Sequence, residues 1–95
     1  MTITILGTEF RVQKTLGHLL DDCLGECHIP ERLILYSDQL PPDAAAEIVL
    51  HEVIHAIDGM TATEKDQLKE AQVQRISAVL FAVLRENPHL LPEER

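Results

Sequence analysis

Ninety-five residues suffice for one domain with a modest core, because a chain this short buries only about two thirds of its unfolded surface. The apolar fraction is 45%, and no run approaches the roughly 20 apolar residues of a membrane span, so no membrane partner is expected. Eight Lys and Arg against sixteen Asp and Glu leave a net charge of −8, which disfavours phosphate backbones and argues against a nucleic-acid partner.

Residues 2–6 alternate polar and apolar side chains, Gly7-Thr8 offers a turn, and residues 9–13 alternate again, which predicts a strand pair. Residues 16–24 read as a short helix ending at Gly25. Residues 26–29 and 32–37 flank Pro30-Glu31, a spacing suited to a second hairpin, with 33–36 as a buried strand. After Pro41-Pro42, Asp43 reads as the N-cap of a helix running to about Asp58, with Gly59 at its C-terminal cap. A last helix, starting between Thr61 and Lys69, runs to Glu86 and stops at Asn87-Pro88. Strands followed by two helices predict an α+β fold: a small, mainly antiparallel sheet packed against both helices, the whole chain forming a single domain.

Chemistry concentrates in His51-Glu52-Val53-Ile54-His55. Two imidazoles four residues apart lie one turn from each other on the same helix face and can grip one Zn²⁺ ion. Glu52 sits about 100° around the helix from His51, placed to act on water as the catalytic general base. Zinc lowers the pKa of water to roughly 7, so this set of residues is competent for hydrolysis. Ile48, Val49, Leu50, Val53, Ile54, Ala56 and Ile57 make most of the helix circumference apolar. Against them Glu47, His51, His55 and Asp58 form a narrow polar stripe, and burying such groups is costly without partners or a metal.

A catalytic zinc takes three protein ligands and leaves one position free. Glu70, early in the last helix and near the side carrying Val73, Ser77, Leu80, Phe81 and Leu84, is the favoured third ligand. Glu64 and Asp58 are the alternatives, Asp58 being better placed to support a histidine from behind. Cys23 and Cys27, with His28, make a weak second metal signal and read as reduced, half-buried thiols. Tyr36 reads as a packing residue with a possible oxyanion-binding hydroxyl, and the tail from residue 87 as a frayed end able to cross the cleft.

The HExxH motif, the segment Leu68-Lys69-Glu70-Ala71-Gln72-Val73-Gln74-Arg75-Ile76 and the ending Val83-Leu84-Arg85-Glu86-Asn87-Pro88 resemble small phage and prophage zincin-like proteins. These are similar to the ImmA/IrrE metallopeptidases and the minigluzincins. The resemblance covers residues 25–91 and departs at Lys69, where that pattern carries Ser. It implies zinc at His51, His55 and Glu70, Glu52 as general base, a peptide or protein substrate, and a strand at residues 33–36 that borders the cleft and pairs with it. The alternative is a non-catalytic, zinc-stabilised module that holds a protein partner. The amino-terminal sequence lacks the pattern of a secretory signal, so the cytoplasm is the expected compartment.

Overall fold

The computed structural model describes residues 1–20 and 24–92. Its elements follow in the order β1 (Thr2–Ile5), β2 (Thr8–Thr15), β3 (Gly25–His28), β4 (Leu33–Ser37), α1 (Pro42–Thr61) and α2 (Glu70–Glu86). The sheet order is β1-β2-β4-β3. Each outer pair is an antiparallel hairpin, and the two hairpins join through a parallel β2–β4 ladder that sets Val12 opposite Ile34. Between the hairpins, a single 3₁₀ turn (Gly17–Leu19) stands where a short helix was expected across residues 16–24. Residues 21–23 of that expectation lie outside the described ones.

Alternation does the sorting that a half-buried sheet requires. Ile3, Ile5, Phe10, Val12, Ile34 and Tyr36 point to the helix side, where Val49, Val53, Ala56 and Met60 of α1 meet them. Thr2, Thr4, Glu9, Arg11 and Gln13 take the exposed face. Within the predicted buried strand only Ile34 is fully buried, and its neighbours Leu33, Leu35 and Tyr36 are partly covered. Tyr36 packs against the core. The first hairpin turns at Leu6-Gly7, one residue earlier than expected, with both φ angles positive at 50° and 80°, as a two-residue hairpin loop demands.

Helix α1 begins after Pro41, whose carbonyl accepts the Ala45 N–H, with Pro42 in the first turn. Asp43 therefore lies inside the helix rather than at its cap, and it pairs with Arg85 of α2 at 2.8 Å. The helix also runs through Gly59 to Thr61. A side chain at Gly59 would collide with Ile29 of the loop joining β3 to β4, so this glycine marks a close approach of helix and loop, not a helix end. Gly25 has the same role at the other end of β3: a Cβ there would lie 2.7 Å from Ile48, 3.0 Å from the Leu35 carbonyl oxygen and 3.2 Å from Glu52.

Helix α2 runs antiparallel to α1, with its last turn at Asp43 and its first at His55, and packs mainly on α1 while α1 covers the sheet. The expected core-facing stripe holds only for two turns: Val73 and Ser77 are buried, Leu80 and Phe81 partly so, and Leu84 is exposed. No helix among the described residues is long and apolar enough to cross a membrane.

The N-cap of α2 is Lys69, whose N–H donates to the Gln72 carboxamide oxygen at 2.8 Å. An ammonium has no lone pair to return to the first-turn N–H groups, and its charge opposes the helix dipole. Lys69→Ser supplies the missing half of a capping box. It should stabilise the protein by about 1 kcal/mol, read as a higher urea midpoint at unchanged slope.

Candidate metal centre

Three donor atoms converge between the helices. His51 Nε2 and His55 Nε2 are 3.2 Å apart, and the Glu70 carboxylate spans them, Oε1 at 2.8 Å from His51 and Oε2 at 2.8 Å from His55. The four-residue spacing stacks the rings on one face of α1, edge to face with centroids 4.8 Å apart. Glu70 reaches them because it opens α2 on the side turned toward α1.

The anchoring of that helix start falls to Asp58. Both of its carboxylate oxygens lie 3.2 Å from the Leu68 N–H, tying the end of the loop to the last turns of α1. Asp58 thus holds the approach to Glu70 instead of buttressing a histidine. Glu64 is exposed in the turn at 64–66 and stands outside the converging group.

The partner behind His51 is Ser77, which sequence reasoning placed only in the core. Its hydroxyl donates to the Gln74 carbonyl at 3.1 Å, so the His51 Nδ1–H, 3.4 Å away, must donate to it. That tautomer leaves the lone pair of His51 Nε2 facing Glu70 Oε1. Two lone pairs at 2.8 Å repel each other unless a proton or a cation lies between them. A tetrahedral ion with ligand bonds of about 2.0–2.1 Å separates its donors by roughly 3.3 Å, close to the 3.2 Å between the two ring nitrogens. The cluster is therefore a His-His-Glu triad able to chelate a metal ion and compatible with Zn²⁺. The signal for Ser77 was present in the sequence: a hydroxyl at a core position, one turn from Val73 and one from Phe81, needs a polar neighbour.

Glu52 borders the same cleft, an open cavity of about 680 Å³ whose lining includes His51, His55, Glu70 and Ser77, together with Leu24 and Gly25. Only 6% of Glu52 is exposed. Burial pushes its carboxyl up to about 7, opposed by the His55 and His28 rings and reinforced by the Glu70 and Glu26 carboxylates. Burial, with Glu52 nearby, also lifts the Cys27 thiol to about 11, which makes it a packing group under α1. His28 pairs with Glu26 at 2.9 Å; Cys23 lies outside the described residues, and among those described only the His51, His55 and Glu70 group can hold a metal.

Two expectations about the cleft wall change. Strand β4 has neighbours on both sides, so its backbone is already paired; among the described residues β3 is the edge strand beside the cleft. The tail residues 87–92 border a separate cavity with Leu84 at the far end of α2 and do not line the cleft.

No protein-family model matches the chain, and no solved structure matches it significantly. A stretch of 68 residues is 35% identical to lipoprotein LpqS of Mycobacterium tuberculosis (strain ATCC 25618 / H37Rv), covering 72% of this chain and 48% of that protein. The chain spans about half the length of this relative.

Two outcomes follow from the geometry. Ser77→Ala removes the acceptor that fixes the His51 tautomer and should weaken zinc affinity by about 10- to 100-fold, measured by competition with a chromophoric chelator. In the metal-free protein, the folded-state value of Glu52 lies above its usual 4.5, so the folded form binds the proton more tightly and stability falls as pH rises from 4.5 to 7. Metal-free Glu52→Gln should then exceed wild type at pH 8 by about 1–3 kcal/mol, with the gap closing below pH 4.5 in urea unfolding.

Proposed function

We propose that this protein is a zinc-dependent metallopeptidase of the minimal zincin kind that its motifs resemble, with His51, His55 and Glu70 as the zinc ligands and Glu52 as the general base. The observation that carries the reading is the convergence of the three donors beside a buried carboxylate. A purely structural chelate has no need of that carboxylate. When bound, zinc supplies Lewis acidity, acidifying water and polarising a carbonyl.

The chain's own residues supply the rest of the reaction. Glu52, buried at the wall of the cleft next in sequence to His51, is placed to take a proton from water and hand it to the leaving amine. Ser77 keeps the His51 lone pair turned toward the cleft. Among the described residues β3 is the sheet's edge strand beside the cleft, which it reaches at Gly25, and it is placed to pair with an extended peptide, a mode in which main-chain bonds give affinity and side-chain pockets give selectivity. The proposed substrate is accordingly a peptide or an unstructured protein segment.

The test pairs zinc content with turnover. Zinc-loaded wild type should cleave members of a diverse peptide mixture, with products identified by mass spectrometry, while Glu52→Gln retains its zinc and loses at least about 100-fold in rate. Equal cleavage by both proteins refutes the assignment of Glu52. Stoichiometric zinc with no cleavage by either indicates a metal-stabilised module that holds a partner.

A further inference from the structure

The polar stripe on α1 has four members, and three of them are answered from the α2 side. Ser77 meets His51, Glu70 meets both imidazoles, and the Leu68 N–H meets Asp58. Glu47, one turn before His51, has no partner among the described residues. It is half-buried and lines the cleft at the end away from Asp58. Across from it α2 contributes Ala78, whose methyl group can neither pair with a carboxylate nor cover it.

The charges of the cleft make that gap informative. Among the described residues no Lys or Arg lines it. A divalent ion held by two neutral imidazoles and Glu70 leaves a net charge of about +1 at the centre, which by itself repels cations. Glu52 offsets that charge beside the ion itself, and among the described lining residues Glu47 is the carboxylate left over: four residues at about 1.5 Å each place it roughly 6 Å along the helix axis from His51. An extended peptide advances about 3.4 Å per residue, so a group one or two residues from the reacting bond, on the Glu47 side of the cleft, comes within reach of that carboxylate.

We propose that Glu47 is the specificity-determining residue of the cleft and selects peptides that carry a cationic nitrogen, a Lys or Arg side chain or a free α-amino group, one or two residues from the scissile bond. The position of that bond rests on the peptidase reading above; the preference for a cation rests on Glu47 itself.

The experiment compares zinc-loaded wild type, Glu47→Gln and Glu47→Lys on matched synthetic peptides with lysine or norleucine at single positions, each with a free or an acetylated amino terminus. Cleavage is followed by mass spectrometry. Binding is followed by fluorescence anisotropy in the Glu52→Gln background, so that recognition is measured without turnover. Wild type should favour the cationic peptide about fivefold. The ratio should fall to near one in Glu47→Gln, invert in Glu47→Lys, and shrink as salt rises, with zinc content unchanged throughout. Preference that survives acetylation assigns the side chain, and preference lost on acetylation assigns the α-amino group. Binding that depends on Glu47 without any cleavage leaves the inference standing and removes the peptidase reading. Cleavage with the same ratio in all three proteins does the reverse, and peptides neither bound nor cut overturn both.

Discussion

Everything that positions the site depends on one constraint: the helix that covers the sheet turns three polar side chains, His51, His55 and Asp58, into its seam with α2, where they need partners. Val49, Val53, Ala56 and Met60 press α1 onto the strands, and the same rotation turns His51, His55 and Asp58 toward α2. A buried polar group without a partner costs about 1–3 kcal/mol, so α2 has to meet this stripe with polar atoms rather than with leucines. The seam between the helices is accordingly built from Ser77, Glu70 and a backbone N–H.

The loop between the helices makes that meeting geometrically possible. Residues 62–69 leave α1 after Thr61 and return two turns lower on its flank. The Asp58 carboxylate holds Leu68, while Asp66 closes the turn by accepting from the Thr63 N–H and hydroxyl. Glu70 then opens α2 with a side chain 60% exposed, held at the two imidazoles by the register of the helix instead of by burial. The loop and the cap thus set the precision of the donor cluster, and the core contributes little to it.

The fold class was legible because each strand alternates against a single buried face and each hairpin carries its own turn residues. The HExxH spacing likewise sets two imidazoles on one face wherever it lies on a helix. Other features escaped because one residue type serves several physical ends. Gly59 reads as a helix stop, yet it marks the place where Ile29 packs against an uninterrupted helix. Asp58 lies in line with the histidines, yet its oxygens go to a backbone N–H ten residues on, a contact fixed by the path of a loop that no periodicity encodes. The resemblance placed a free edge at β4, whereas the parallel β2–β4 ladder closes it and passes the edge to β3. Strand order of this kind is decided by long-range pairing, which local pattern does not contain.

The polar seam also bears on how firmly α2 is held. Only Val73 and Ser77 of that helix are buried, so apolar burial holds it weakly, and each seam hydrogen bond contributes only about 1 kcal/mol net. A metal ion held by His51 and His55 of α1 and by Glu70 of α2 would add a bridge between the two helices to these weak contacts. A single ion would then serve both the docking of α2 and the chemistry of the cleft. The exposed Arg85–Asp43 pair at the opposite end fits the same comparison: a surface ion pair is worth about 0–1 kcal/mol, enough to bias the crossing of two helices already brought together and too little to bring them together.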